Sequence, residues 1–236
     1  TGGSFKFDPS AWVPTDYKVE KVGSTYYVLP ANAVSVSNSN DLEAVLNGSE
    51  SNIDASVAID YSNNQIRIDR NLIFDMNNNE VKAGSASEYG LVADGVYVQF
   101  DEANIYSLGG GVGAVNGANV VFNGGKLEIN TTSTSGRYLF YANGEGSTIT
   151  INDGNFNFNK TQNEKRAYIY AESGTTVYVK GGNFGEASTR SGYTAGILGE
   201  GTVIITGGSF GFDPSAWVAS GYTATENNGV WTVSAN

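Results

Sequence analysis

Val177-Tyr-Val-Lys-Gly-Gly-Asn-Phe184 decides how this chain is read, because the phrase recurs. Val121-Phe-Asn-Gly-Gly-Lys-Leu127, Ile149-Thr-Ile-Asn-Asp-Gly-Asn-Phe156 and Val203-Ile-Ile-Thr-Gly-Gly-Ser-Phe210 are versions of it. Each is a short alternating strand, a glycine turn, one polar residue and a large apolar residue. The closing glycines fall at 125, 154, 182 and 208, spaced by 29, 28 and 26 residues. Ile73-Phe-Asp-Met-Asn-Asn-Asn-Glu-Val81 and Val96-Tyr-Val-Gln-Phe-Asp-Glu-Ala-Asn-Ile105 are weaker versions upstream. A unit of this length cannot bury its apolar face alone, so a period of about 20–50 residues signals a solenoid. Each unit carries two or three short strands and no helix. That excludes helical repeats and leaves a β-solenoid.

In such a coil every strand pairs with its equivalent one turn away, at about 4.8 Å. The glycine pair becomes a corner, where φ is positive or backbones approach closely. Val81, Ile105, Leu127, Phe156, Phe184 and Phe210 then stack inside as one ladder and read as core.

The chain ends on Thr206-Gly-Gly-Ser-Phe-Gly-Phe-Asp-Pro-Ser-Ala-Trp-Val218 and opens on Thr1-Gly-Gly-Ser-Phe-Lys-Phe-Asp-Pro-Ser-Ala-Trp-Val13, nearly the same text. Both copies continue through a tyrosine, Tyr17 or Tyr222, into Thr25-Tyr-Tyr-Val28 or Val230-Trp-Thr-Val233. In the second copy Asp213-Pro-Ser breaks the coil, since proline cannot donate to a ladder. Asn228-Gly229 signals a hairpin joining Tyr222–Glu226 to Val230–Val233. Trp217, Tyr222 and Trp231 supply bulky cover for the coil's end, which would otherwise recruit other chains. After the first copy, Val34-Ser-Val-Ser37 reads as a strand and Asp41-Leu-Glu-Ala-Val-Leu46 as a short helix. Asn40 is the expected N-cap, Glu43 completes a capping box, and Gly48 is the stop. Leu42, Val45 and Leu46 share the face that must lie on something apolar.

The expected organisation is therefore a closing or junction segment at 1–33 and a β-solenoid domain at 34–236. Within that domain the capping helix takes 41–48, the coil 49–212 and the closing module 213–236.

The terminal aromatics Phe5, Phe7, Trp12, Tyr17, Tyr26 and Tyr27 have no coil ahead of them to pack on. Contiguous aromatic surface of that size marks an interface. A head-to-tail contact that does not close makes a filament. The junction set is therefore these six together with Trp217, Tyr222 and Trp231.

Composition narrows the function. Among 236 residues there are 31 Gly, four Pro and one Met, with 12% aromatic and 16% charged residues. This suits neither a helical bundle nor a solvated disordered chain. A net charge of −11 argues against nucleic acid and anionic membrane as partners. With no Cys and no His, there is no disulfide, no thiol nucleophile and none of the commonest acid–base group or metal ligand. No apolar run reaches the roughly 18 residues of a membrane span, so no insertion is expected. The first residues do not read as a signal peptide.

The rung pattern resembles the right-handed parallel β-helix of pectate-lyase-like proteins, over essentially residues 34–236. The short amphipathic helix stands where such coils carry an N-terminal cap. Gly-Gly-Ser-Phe followed by Asp-Pro-Ser-Ala-Trp-Val and Gly-Tyr is similar to the closing module of β-helical surface and phage-associated proteins. The resemblance implies an extracellular, cell-surface or virion location, and it specifies architecture rather than activity.

Enzymes of that architecture use clustered carboxylates with Arg or Lys. Asp69, Asp75, Asp94, Asp101 and Glu102 are the candidates, and they show no characteristic constellation, so no catalytic residue is assigned. Asp75-Met-Asn-Asn-Asn79 imitates the start of a calcium loop, but Glu80 and Ala86 stand where Gly and the bidentate Glu belong. It reads as an asparagine turn, and no metal or cofactor is expected. Gly109-Gly-Gly-Val-Gly113 opens no helix and is not a phosphate loop. The sequons at Asn47, Asn130 and Asn159 are chance matches in an Asn- and Ser-rich chain. Tyr138-Leu-Phe-Tyr141 and Tyr168-Ile-Tyr170 are candidate sugar-stacking surfaces, although alternation turns part of each inward and core is the favoured reading.

The expectation is a non-catalytic structural and adhesive fibre unit. Its partners are other copies of itself, head-to-tail or in tandem, with cell-surface polysaccharide as a second candidate. The alternatives are a polysaccharide lyase or hydrolase of the same fold and a carbohydrate-binding module.

Overall fold

A computed structural model describes residues 3–15, 17–22, 25–30, 33–130, 137–158, 166–186, 188–190 and 193–236. Side chains are described for these except 3–4, 18, 20–22, 25, 27–30, 188–190 and 193–195. Strands follow one another in a fixed three-step cycle and build a parallel β-solenoid with three faces. The first face holds Val34–Val36, Asn52–Ala55, Leu72–Asp75, Tyr97–Asp101, Asn119–Phe122, Thr148–Ile151, Thr176–Val179 and Thr202–Ile205. The second holds Ile59–Ser62, Val81–Gly84, Ala103–Ser107, Gly125–Ile129, Asn155–Phe158, Asn183–Glu186 and Gly208–Gly211. The third holds Ile66–Ile68, Tyr89–Asp94, Gly110–Val115, Arg137–Asn143, Arg166–Ala171 and Ile197–Leu198.

Register makes the core. On the second face Val81, Ile105, Leu127, Phe156, Phe184 and Phe210 stand opposite one another in succession. All six are buried. The rings of Phe184 and Phe210 stack at 4.9 Å and 5°, and Phe156 meets Phe184 at 4.6 Å. On the first face Phe74, Phe100 and Phe122 form the matching ladder, and on the third Leu91, Val112, Phe140 and Ile169 do. Like residues stack because a parallel in-register coil places equal sequence positions about 4.8 Å apart. Each fully buried Phe or Ile contributes about 1.5–3 kcal/mol.

The corners explain the glycines. Gly125, Gly154, Gly182 and Gly208 all have φ between 101° and 140°, where a side chain is strained. At Gly125 a Cβ would stand 1.9 Å from the carbonyl oxygen of Ala103. The stretch Asp75–Asn79 is an asparagine turn: Asn77 and Asn78 sit at positive φ, and Asp75 accepts the Asn77 N–H at 2.8 Å. Asn77 and Asn79 both donate their side-chain amides to the Ala55 carbonyl.

The helix, α1, runs Ser39–Leu46 and starts two residues earlier than the sequence reading placed it. Asn38, not Asn40, is the N-cap, accepting from the N–H groups of Asn40 and Asp41 at 2.9 and 3.0 Å. Asp41, not Glu43, closes the box by accepting from the Ser37 N–H and hydroxyl. Ser37-Asn-Ser-Asn40 offers several capping side chains, and the turn that buries Leu42 and Val45 selects among them. The C-terminus is held by a residue from the next turn of the coil. Arg70 donates to the carbonyls of Val45, Leu46 and Glu50 at 2.6, 2.5 and 2.8 Å. A guanidinium there satisfies orphan carbonyls and faces the negative end of the helix.

Among the described residues an antiparallel excursion interrupts the cycle. Between Glu186 and Ile197 an antiparallel pair, Ser188–Arg190 with Tyr193–Ala195, leaves the coil, and only Ile197–Leu198 returns to the third face. The sequons at Asn130 and Asn159 run into residues outside those described. No helix among the described residues is long and apolar enough to cross a membrane.

Candidate functional site

The duplicated phrase folds the same way twice. In the second copy Gly208–Gly211 pairs antiparallel with Val230–Ala235, which pairs with Tyr222–Asn227. In the first copy Gly3–Phe5 pairs with Thr25–Pro30, which pairs with Tyr17–Val22. Each carries a short 3-10 turn, Ser215–Trp217 or Ser10–Trp12. Asp213 and Asp8 cap those turns by accepting the N–H of Ser215 and Ser10 at 2.9 and 3.0 Å. The Ser215 bonds hold the Asp213 carboxyl below its ordinary pKa. Phe210 faces Trp231 where Phe5 faces Tyr26. The edge-to-face pair Phe210–Phe212, at 5.5 Å, has its counterpart in Phe5–Phe7, at 5.6 Å. The hairpin turn Asn228-Gly229 has both residues at positive φ, as that dipeptide favours.

What differs is the other edge. Gly208–Gly211 is also the last strand of the second face, parallel to Asn183–Glu186. Phe210 is buried beneath it, and the Phe212 ring stacks on Tyr168 at 5.8 Å and 15°. Gly196 is the floor of that seat, since a Cβ there would lie 2.2 Å from the Phe212 ring. Trp217, Tyr222 and Trp231 pack partly buried against the core. Among the described residues Gly3–Phe5 has no strand on its other edge, and its sheet is three-stranded and separate from the faces of the coil. Phe7 is 57% exposed and Trp12 75% exposed, and their rings meet edge-to-face at 6.0 Å. Tyr17 and Tyr26 are half-buried, and the side chain of Tyr27 lies outside those described. Sequence reading did not find Tyr168 and Gly196 as the seat of Phe212, because nothing in either residue type announces it.

The candidate carboxylates serve the coil. Asp94 accepts from Asn116 at 2.7 Å and pairs with Arg67. Those bonds hold its carboxyl below the ordinary value, Asn116 contributing most. Asp101 accepts from Gln99 at 2.8 Å and from Asn123 at 2.6 Å. Glu102 sits at positive φ and accepts from Asn78 at 3.0 Å. Asp54, Asp75 and Asp101 are in register on successive turns. Asp69 is exposed. Among the described residues no group of three or more Asp or Glu is placed to hold a metal ion.

The tyrosines correct the core reading. Tyr138, Tyr141 and Tyr170 lie on the outside of the third face, half-buried, whereas Leu139, Phe140 and Tyr168 point inward. Tyr138 stacks on Tyr170 at 4.4 Å, and Tyr141 on Tyr89 at 4.9 Å. The glycine run makes this possible where Gly110 opens the strand Gly110–Val115, for a Cβ at Gly110 would stand 2.3 Å from the Tyr89 ring. Burial and a bond to Glu172 push the Tyr141 hydroxyl up to about 12. The ring faces are turned to one another, so the cluster is a ladder rather than an open stacking platform. On the outside of the second face an open groove of about 670 Å³ is lined by Asn78, Asn104, Lys126, Asn155, Asn157 and Asn183 among others. Asn183, in register with Asn155 on the next turn, donates to it at 2.9 Å, and Lys126 pairs with Glu128 at 2.7 Å.

No protein-family model, no curated protein and no solved structure matches this chain.

Proposed function

We propose that the chain is a non-catalytic structural and adhesive unit of an extracellular or virion-borne fibre, built from tandem or head-to-tail β-solenoids. The observation that carries this reading is the closing module present at both ends, seated on a coil at one and open at the other. A solenoid end must be covered, and the module is what covers it. The open copy has the same strand edge and the same aromatics available to the end of another coil. The candidate carboxylates support a scaffold rather than a reaction. Asp94 and Asp101 are spent on amides and Arg67, and Glu102 on Asn78, in contacts between successive turns.

Two measurements test the reading. Phe7→Ser with Trp12→Ser in the full chain leaves the unfolding midpoint of the coil unchanged, while Phe212→Ser with Trp217→Ser lowers it. Equal losses would show that the first copy stabilises its own coil, and the fibre reading would fail. Incubation with acidic and neutral polysaccharides yields no product. Release abolished by Asp101→Asn or Glu102→Gln would replace the scaffold with an enzyme.

The groove favours a carbohydrate-binding module as second reading, because amide side chains and Lys126 suit hydroxyl groups. Affinity electrophoresis in polysaccharide gels tests it, with Asn155→Ala releasing the retarded chain.

A further inference from the structure

The two closing modules are not interchangeable, and the difference identifies the partner of the open one. This rests on the reading of the chain as one unit of a longer assembly. Aligned at Thr1 and Thr206, the copies agree from the first Thr to Val13 and Val218 except that Lys6 replaces Gly211. One residue later, Pro14 replaces Ala219.

Both replacements fall on the seat. Gly211 pairs with Glu186 across a bulge that leaves Gly185 unpaired. The bulge pushes backbone beneath Gly211, so that a Cβ there would stand 2.6 Å from the Glu186 nitrogen and 2.7 Å from the Gly185 carbonyl carbon. These are main-chain atoms that cannot swing aside as a flexible side chain would. Ala219 donates its N–H to the Ile205 carbonyl at 3.0 Å. Proline has no such hydrogen. A module with Lys6 and Pro14 therefore fits this chain's own terminal turn badly at two points.

We infer that the open module closes a β-solenoid whose last strand runs without that bulge, a coil related to this one but not a second copy of it. Phe5 takes the place that Phe210 has over the partner's last inward residue, and Phe7 the place of Phe212. Lys6 stands over a flat strand, where a side chain has room. Selectivity comes from the clash and the lost donor against the wrong coil, as much as from the aromatics that would fit either.

The experiment is a chain in which residues 34–205 precede Thr1 of the full sequence, so that Ile205 runs into the first module as it natively runs into Thr206. Trp217→Phe and Trp231→Phe leave Trp12 as the sole tryptophan, and acrylamide quenching reads its burial. With Lys6 and Pro14 in place, Trp12 stays as accessible as in the unextended chain. With Lys6→Gly and Pro14→Ala it becomes protected. Protection with Lys6 and Pro14 retained would overturn the selectivity and make an identical copy the partner. Absence of protection in both forms would overturn docking itself, and the fibre reading with it. The converse variant, Gly211→Lys in the otherwise native chain, unseats the second module and increases quenching of Trp217 and Trp231; unchanged quenching there also overturns the inference.

Discussion

The two ends of the chain carry the same thirteen-residue phrase with a single internal difference, and they live in opposite environments. In the C-terminal copy Phe210 is fully buried on Phe184, whereas in the N-terminal copy Phe7 and Trp12 are mostly exposed. The internal folding of the module is the same in both, down to the aspartate that caps its 3-10 turn. The module's shape is thus local, written in its turn residues and its own aromatic pairs. Its burial is a property of what stands beside the outer edge of Gly208–Gly211 or Gly3–Phe5.

That contrast is breakable at several levels. The largest effect is expected at the buried phenylalanine. Phe210→Ala costs about 3–5 kcal/mol, because a cavity is left against Phe184. Phe5→Ala changes the stability of the coil by no more than about 0.5 kcal/mol. Urea unfolding of both variants checks this, and similar losses would erase the contrast.

Next is the residue that separates the copies. Gly211→Lys overpacks the bulge at Gly185 and costs about 1–3 kcal/mol, while Lys6→Gly leaves the unfolding midpoint where it was. A costless Gly211→Lys would mean that the bulge relaxes.

The start of the coil sharpens the comparison from the other side, for it has a cap of its own and needs none from the first module. Arg70→Gln removes the charge at the end of α1 and costs about 1–2 kcal/mol. Hydrogen exchange should quicken in Ser39–Leu46 but not in Gly3–Phe5. Exchange quickening equally in both would tie the first module to the coil.

The smallest effect is in alkali. Burial raises the Tyr168 hydroxyl above its ordinary value of 10.0, so the folded state favours the neutral ring. That stabilisation is complete below about pH 10 and fades as pH rises toward the folded value. Tyr168 stacks on Phe212 in its seat, so emission from Trp217 and Trp231 shifts to the red in that window while emission from Trp12 does not. A shift confined to Trp12 would contradict the seat.

The coil was legible because its repeat is written in residues with one physical meaning. Gly125, Gly154, Gly182 and Gly208 recur where φ is positive, and a large apolar residue follows two positions later. Alternation fails as a guide where it breaks. Leu139 and Phe140 are consecutive and both buried, which turns Tyr138 and Tyr141 outward together. The helix start was ambiguous because Ser37-Asn-Ser-Asn40 contains four residues able to cap, and only the packing of Leu42 and Val45 chooses. Arg70 could not be assigned from sequence, since its role depends on a neighbour one coil away.

The sequence by itself determined the solenoid, the ladder from Val81 to Phe210 and the duplication of the terminal module, because in-register stacking converts equal spacing into contact and like sequence folds alike. Only the tertiary structure decided which faces are covered. It placed Phe212 on Tyr168, turned the tyrosine ladder to the outside of the third face, and set the backbone of Gly185 and Glu186 beneath Gly211. The alignment of the two modules shows Lys6 against Gly211 as a substitution like any other. It acquires meaning from a bulge in a different strand, and such a long-range steric fact has no local trace in the residues that obey it.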